Sequence, residues 1–300
     1  MINFHIPEIA DKPKIDAAFF NSNCRSDDYC FGNLFIWRNH FKTRVAFLGE
    51  LPLVAFDDGP HNLARYLFPI GNGNKKEAIH ILFEQPDARR PFTFAGVTDE
   101  MKMEIEELFP EKFSFELNRN QCDYIYEIEK MITLSGRKMH GKRNHVARFK
   151  RKEWSFEPIT AENISICEEL NNEWYERNFS VENLTLQREH QAVREAFLNF
   201  EALGFSGGLL RQEGVPVAFT IGEPIFQDTY GVHIEKAFSD IEGAYAAINR
   251  EFLNFAASDF QYVNREEDMG DEGLRKAKMS YHPAILLNKY TATLKEGETL

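Results

Sequence analysis

The chain of 300 residues is poor in cysteine and has no long apolar run. Its four cysteines, Cys24, Cys30, Cys122 and Cys167, form no Cys-x-x-Cys pair, and so low a count argues against a disulfide framework or a zinc-type metal site. No apolar stretch approaches the roughly 18 residues that a membrane span requires. The N-terminus is too polar for a signal-peptide core. The sequence therefore predicts a soluble, cytoplasmic protein with reduced thiols and no metal.

Positive charge is also scarce, because 35 Lys and Arg stand against 47 Asp and Glu and give a net charge of −12. Such a balance disfavours non-specific adhesion to nucleic acid or to anionic lipid. The exception is the segment 137–152, which holds eight Lys and Arg and no acid, and leaves 27 basic residues for the rest of the chain. This basic segment predicts a localised anion site, with an exposed solubilising linker as the alternative.

Apolar periodicity predicts strands that alternate with helices along the whole chain, which is typical of an α+β or α/β-like fold. The hydrophobic content of 43% suffices for two units of about 150 residues each. We place a first domain at residues 1–120, a basic connecting segment at 121–153 and a second domain at 154–300. The second domain is expected to carry the active cleft.

Residues 262–283 hold more polar chemistry than any other short stretch. A short strand is followed by a predicted helix whose apolar face would include Leu274, Ala277 and Tyr281. Gly270 and Gly273 lower helix propensity at its start, and bare backbone at a helix start suits an anion or a close-packed partner. A solvated helix with dipole-matched charges is the alternative interpretation.

Several runs in this stretch and in the basic segment resemble one family. The runs are Asn-Arg-Glu-Glu-Asp at 264–268, Gly-Leu-Arg-Lys-Ala-Lys at 273–278, Ser-Tyr-His-Pro at 280–283 and Lys-Arg-Asn at 142–144. They resemble motifs of the DUF2156 family, which is similar to the catalytic C-terminal domain of phosphatidylglycerol lysyltransferases and, more distantly, to Fem-type peptidoglycan aminoacyltransferases. The resemblance implies two tandem GNAT (N-acetyltransferase-like) units, each a mixed central sheet flanked by helices.

Candidate catalytic residues lie on the strand before the loop at 236–243. Alternation predicts His233 and Glu235 on one face, roughly 7 Å apart. Acyl transfer to an amine needs a base, an oxyanion donor and an acid. Glu235 is the candidate base with His233 as its rival, and either could instead be a satisfied structural residue. The resemblance points to Tyr281 as a general acid, and a core tyrosine is the alternative.

Donor-binding candidates follow from where ligands collect on open sheets, beyond the carboxyl ends of the strands. Arg275 and Lys278 suit a phosphate group. The full set of predicted substrate- and donor-binding residues is Asn264, Asp268, Arg275, Lys278, Lys142, Arg143 and Asn144.

The loop from Lys236 to Ala244 departs from the pyrophosphate loop of acetyltransferases. It offers one glycine, Gly243, and two acids, Asp240 and Glu242, at a helix start where a second anion would be repelled. This favours aminoacyl-tRNA over acyl-CoA as the donor, with tRNA phosphates meeting residues 137–152.

The function predicted from the sequence is therefore an aminoacyl- or acyltransferase. It would act on an amine or hydroxyl acceptor, either a small molecule or a peptidoglycan precursor. Two alternatives stay open at this point: a non-catalytic ligand-binding protein on a tandem GNAT scaffold, and an acetyl-CoA-dependent N-acetyltransferase. A catalyst would bind and cleave a charged donor, whereas a binding protein would only bind it.

Overall fold

The computed structural model describes residues 2–57, 63–179 and 184–300. The chain forms two compact units. The first comprises residues 1–123, 267–275 and 286–300, and the second comprises 124–266 and 276–285. The sequence prediction of contiguous domains at 1–120 and 154–300 differs from this division, since two late segments belong to the first unit and residues 124–153 belong to the second.

The elements alternate as predicted, although several bounds differ by a few residues. The strands are β1 Arg44–Leu48, β2 Leu51–Phe56, β3 Arg65–Leu67, β4 Thr93–Val97, β5 Phe113–Leu117, β6 Asp123–Glu127, β7 Trp154–Pro158, β8 Ser206–Gln212, β9 Val215–Phe226, β10 Thr229–Ala237, β11 Tyr262–Asn264, β12 Ile285–Leu287 and β13 Tyr290–Leu294. The α-helices are α1 Lys12–Phe20, α2 Phe31–Ile36, α3 Arg38–Phe41, α4 Lys75–Phe83, α5 Asp99–Leu108, α6 Ile128–Thr133, α7 His140–Phe149, α8 Ile164–Asn178, α9 Leu184–Leu198, α10 Phe200–Leu203, α11 Ala244–Ala256 and α12 Glu272–Met279. Short 3-10 turns lie at Ile9–Asp11, Asp27–Tyr29 and Arg119–Gln121.

The first unit is built on a mixed six-stranded sheet with the order β1-β2-β3-β4-β13-β5. Strand β13, from the end of the described chain, pairs antiparallel with both β4 and β5. This insertion explains why residues 286–300 belong to the first unit. Apolar patterning identifies such a strand but does not say which sheet it joins.

The second unit is built on a seven-stranded mixed sheet with the order β12-β6-β11-β10-β9-β8-β7. Strand β6 pairs antiparallel with β11, and β11 runs parallel to β10. Residues 121–153, predicted to be a connecting segment, therefore contain a strand of this sheet and the helices α6 and α7. Val146 and Phe149 in the basic segment predict that its last part is a helix packed on one side, and this is confirmed, since both are buried in α7.

Helix α11 packs its small residues against α7 and the sheet. Phe149, Ala237, Ala244, Ala247 and Ile248 belong to one buried cluster. The approach is close at Gly243, which has a φ of 83° and would place any Cβ 2.2 Å from the backbone oxygen of His145. Glycine is therefore required there on both counts.

The sequence pattern predicts Tyr245, Ile248, Phe252 and Phe255 as the buried stripe of α11, with Asn249 to one side, and the observed buried face differs. Tyr245 and Phe255 are 39% and 49% exposed, whereas the polar Asn249 is only 1% exposed. The alanines allow the helix to lie close to its neighbours, and this close packing turns Asn249 inward. The stripe predicted for α12 is also wrong, because Leu274 and Ala277 are exposed and Tyr281 follows the end of the helix.

Candidate functional site

The second unit contains a buried ion pair between Arg265 and Glu235. Arg265 follows β11, and its Nη2 donates to Glu235 Oε1 over 2.7 Å. The other carboxylate oxygen of Glu235 accepts from Asn249 Nδ2 over 2.8 Å. Both charged side chains are only 12% exposed. Because both oxygens of Glu235 are engaged, the geometry favours a role in orienting Arg265.

The second arm of Arg265 is open. Its Nη1 is buried and has no hydrogen-bond partner among the described residues. Burial acts against the charged form, but Glu235 outweighs it with help from Tyr126 and Tyr281, so that the pKa of Arg265 is raised. The guanidinium therefore stays charged, and Nη1 could donate a hydrogen bond to a ligand oxygen.

Tyr281 covers one side of this arginine. Its ring centroid is 5.0 Å from the guanidinium carbon of Arg265, and Tyr126 lies edge-on at a centroid distance of 6.3 Å. Burial raises the pKa of Tyr281 to about 12, with Arg265 lowering it and Glu235 raising it. The phenol therefore keeps its proton at neutral pH and can donate a hydrogen bond.

Lys142 of helix α7 reaches the same tyrosine. Its Nζ lies 3.9 Å from the ring centroid of Tyr281, a cation–π geometry. Burial, together with the charge of Arg265, lowers the pKa of Lys142 to about 8 against the opposing effect of Glu235. We call Glu235, Asn249, Arg265, Tyr281 and Lys142 the Arg265 cluster.

Two predicted binding residues brace the backbone beneath this cluster. Lys278 Nζ donates to the carbonyl oxygen of Arg265 over 2.6 Å, and the carbonyl of Lys278 accepts from Tyr126 over 2.8 Å. Asn264 is fully buried, and its Oδ1 accepts from the backbone N–H of Glu266 over 2.7 Å. Both residues therefore fix the turn that carries Arg265.

His233 does not lie beside Glu235 as the alternation predicted. A β-bulge shifts the register between Val232 and Ile234, so that the side chains after it change faces. Glu235 consequently faces helix α11, whereas His233 is flanked by Glu266 at 2.8 Å and Glu223 at 3.3 Å. Its side chain is 1% exposed.

Asp268 and Arg275, also predicted to bind the donor, belong to the first unit. Arg275 holds the fully buried carboxylate of Asp268 with two hydrogen bonds of 2.8 Å, and it donates a third to Asn120 over 2.8 Å. Arg119 pairs with the same carboxylate at 3.3 Å. The expected phosphate contact of Arg275 is therefore occupied by protein partners.

Much of the basic segment is engaged inside the second unit. Arg143 donates to the carbonyl oxygens of Leu134 and Gly136 and holds the turn between α6 and α7, while Asn144 is exposed with His140 at 3.4 Å. Further pairs join acids to bases of the segment: Arg148 to Glu242, Lys150 to Glu251 and Lys152 to Glu213. The exposed cations of the segment that make no such contact in the described residues are Arg137, Lys138 and Arg151.

The first unit holds a second buried charge cluster. Carboxylate oxygens of Asp27, Asp123 and Glu267 lie within 4.8 Å of one another, a grouping that could hold a metal ion. The ammonium of Lys289 is the cation there: it pairs with Asp27, with Asp123 at 2.7 Å and with Asp28 at 2.9 Å. We call Asp27, Asp28, Asp123 and Lys289 the Lys289 cluster.

Sequence reasoning missed Arg265 and Asn249. Arg265 lies inside the quoted Asn-Arg-Glu-Glu-Asp run, directly after a short strand, which is the position that could have identified it. Asn249 was placed to one side of α11. A polar residue between Ile248 and the apolar Phe252 was the available signal, but only packing shows that it turns inward.

Comparisons with known proteins agree with this architecture. The family described as "Phosphatidylglycerol lysyltransferase, C-terminal" matches residues 21–293. The chain belongs to this family. A conserved protein of unknown function from Bacteroides thetaiotaomicron is 40% identical, with 98% of this chain and 100% of that chain covered and a TM-score of 0.93.

More distant structures share the fold. L-PGS from Bacillus licheniformis has a TM-score of 0.62 at 18% identity, with 86% of this chain and 85% of that chain covered. FemX has a TM-score of 0.62 at 9% identity, with 97% and 95% covered. The predicted α+β fold of tandem GNAT-like units is confirmed.

A curated relative gives a partial match. An uncharacterised protein of Mycoplasmoides gallisepticum is 22% identical over 185 residues, which span 58% of this chain and 56% of that protein. Within the described part of the chain, none of the helices is both long and apolar enough to cross a membrane.

Proposed function

We propose that this chain is an aminoacyltransferase that moves an aminoacyl group from aminoacyl-tRNA to an amine or hydroxyl acceptor at the Arg265 cluster. The observation that carries the proposal is the buried, open Nη1 of Arg265. Leaving a buried donor unpaired costs roughly 1–3 kcal/mol, and more for a charged group. A bound acyl carbonyl would recover this cost and would gain most as negative charge develops on its oxygen.

The neighbouring groups supply the remaining needs of acyl transfer. Tyr281 is protonated at neutral pH and can protonate the leaving oxygen, while Glu235 and Asn249 fix the guanidinium that faces the carbonyl. Pre-oriented donors of this kind need no reorganisation during the reaction. Membership in a family named for a lysyltransferase supports an aminoacyl group as the cargo.

The start of helix α11 supports aminoacyl-tRNA over acyl-CoA. In acetyltransferases this position receives the pyrophosphate, but here the backbone oxygen of His145 lies against Gly243. Glu242 beside it pairs with Arg148, and Asp240 lies 3.5 Å from Arg177. Because Arg148 and Arg177 are already paired with these carboxylates, they offer little counter-charge to a pyrophosphate, and the carbonyl oxygen of His145 would repel one. The acceptor is proposed to be a small molecule or a peptidoglycan precursor.

The test compares wild type with Arg265→Lys, using lysyl-tRNA and a mixed pool of aminoacyl-tRNAs. Lysine can keep the ion pair with Glu235 but lacks the second arm, so amino-acid release to an added amine should fall roughly 100- to 1,000-fold. The matched control is Arg250→Lys, since Arg250 donates to Ile132 and pairs with Glu251 in the same unit. Donor binding without turnover by wild type would instead support a non-catalytic ligand-binding protein.

A further inference from the structure

The Arg265 cluster contains two basic side chains and one carboxylate. Glu235 gives both of its oxygens to Arg265 and Asn249. Lys142 therefore shares the site without a carboxylate of its own: among the described residues it makes no hydrogen bond or ion pair, and its Nζ lies 3.9 Å from the ring centroid of Tyr281. A protonated Lys142 would add a second cation beside a permanently charged guanidinium, which Coulomb repulsion disfavours in a partly dry site.

In the part of the chain that the structure describes, no charged group besides Glu235 favours the protonated form of Lys142. Arg265 and Glu235 are the charged residues that act on it, and Tyr281 presents a neutral ring. Helix α11 packs on α7, but its Arg250 and Glu251 pair with each other and Glu251 also pairs with Lys150. Lys142 is nevertheless only partly buried.

We propose that Lys142 is the base of the transfer, taking the proton that the attacking acceptor releases. This inference rests on the function proposed above and replaces the free carboxylate that sequence reasoning had assigned to the task. An amine whose pKa lies close to physiological pH keeps a neutral fraction that can accept a proton from an ammonium-forming nucleophile. The lowered pKa of Lys142, about 8, agrees with this role.

The step balances without any further reactant. The acceptor nitrogen or oxygen attacks the ester carbonyl carbon, the new bond forms, and the acceptor proton passes to Nζ of Lys142. The ester C–O bond then breaks, and the leaving ribose oxygen takes a proton from Tyr281. The ammonium of Lys142 returns a proton to the tyrosine, so that both side chains end in their starting states.

The first experiment measures transfer from lysyl-tRNA between pH 6 and pH 9.5 in wild type, Lys142→Met and Lys130→Met. Lys130 is the control because it lies on α6 of the same unit and pairs with Glu127 at 2.6 Å. The wild-type rate should rise about tenfold per pH unit and level off above about pH 8. Lys142→Met should lose about a hundredfold or more and lose this pH dependence. Added ethylamine should restore part of the lost rate.

The second experiment needs no substrate. Trace labelling with acetic anhydride at pH 7.5, read by mass spectrometry, should modify Lys142 faster than Lys130 in wild type. Slower labelling of Lys142 than of Lys130 overturns the inference. Transfer that proceeds normally in Lys142→Met also overturns it but leaves the proposed function intact. Absence of transfer in wild type contradicts the proposed function and removes the base role with it.

Discussion

The two buried charge clusters of this protein are satisfied to different degrees. Lys289, whose side chain is 3% exposed, is surrounded by the carboxylates of Asp27, Asp28 and Asp123, so its ammonium has an acceptor on every side. Arg265 has the single carboxylate of Glu235 and keeps one buried arm open. A saturated cluster can only hold its fold together, whereas an open one retains a donor for a ligand.

The two clusters also differ in the sign of their excess charge. Around Lys289 the acids outnumber the base, and the pKa of Asp123 is raised by burial and by Asp27, while the pKa of Lys289 is raised because its acids outweigh its burial. Around Arg265 the bases outnumber the acid, and the pKa of Lys142 is lowered. The first cluster therefore holds protons and the second can accept one.

The largest effect is expected from Lys289→Met in the first unit. Removing the ammonium leaves several buried carboxylates without a cation, which should lower the free energy of unfolding by roughly 3–5 kcal/mol. The deficit should shrink as pH falls, because the orphaned carboxylates take up protons more readily in the folded than in the unfolded chain. Urea unfolding from pH 5 to pH 8 measures both, with the exposed Lys295→Met as control. An equal loss in both variants would contradict a special role for Lys289.

A smaller loss of stability is expected from Glu235→Gln. Glutamine keeps one acceptor for Arg265 but presents an amide where Asn249 donates, so the free energy of unfolding should fall by roughly 1–3 kcal/mol. If Glu235 acted only as the base that the sequence suggested, this substitution would leave the melting temperature nearly unchanged. Turnover should fall as well, since Arg265 is no longer held in place. Circular dichroism melting and lysyl-tRNA transfer measured on the same sample test this, and unchanged values of both would count against the orienting role.

The effect of Lys142→Met should have the opposite sign. The folded chain binds this proton more weakly than the unfolded chain, so between about pH 8 and pH 10.5 the wild type loses stability as pH falls. Below that range methionine should raise the melting temperature by roughly 2–4 °C, the shift expected for about 1 kcal/mol. The gain should vanish above pH 10.5. A variant that melts lower than wild type at pH 7 would show that the lysine stabilises the fold.

The smallest effect on folding is expected from replacing Arg137, Lys138 and Arg151 together by alanine. Among the described residues these exposed cations make no hydrogen bond or ion pair with either cluster, and they are the side chains left to meet tRNA phosphates. The logarithmic slope of tRNA binding against salt should fall by roughly 2–3. Filter binding from 50 to 300 mM KCl measures it, with Arg143→Ala as the comparison. If the salt dependence of tRNA binding changed only in Arg143→Ala, the phosphate contacts would lie at the residues predicted from the sequence and not at the three exposed cations.

Local patterning sufficed for the alternation of strands and helices, and the quoted motifs placed Tyr281 and Lys142 among the candidates together with Glu235. The same patterning could not predict how strands that are distant in the sequence pair with one another. The insertion of β13 between β4 and β5 depends on which sheet edge is open, and the bulge at His233 depends on strand register. Neither feature can be predicted from the spacing of apolar residues along the sequence.

The sequence also did not show which charged side chains pair with one another in the folded protein. Arg275 looks like a phosphate ligand until Asp268 is seen within 2.8 Å, and Arg265 looks like any other arginine until one of its arms is found buried and open. Residue type and spacing predict that a side chain can bind an anion. Only the packed structure shows whether the protein already supplies that anion.

The claim that the Arg265 cluster binds substrate while the Lys289 cluster stabilises the fold is tested most directly by measuring turnover and melting temperature together. Wild type, Arg265→Lys and Lys289→Met would be assayed with lysyl-tRNA at a temperature where all three are folded. Arg265→Lys should lose turnover with little change in melting temperature, and Lys289→Met should melt much lower while its folded molecules turn over at the wild-type rate. Full turnover in Arg265→Lys would contradict the account.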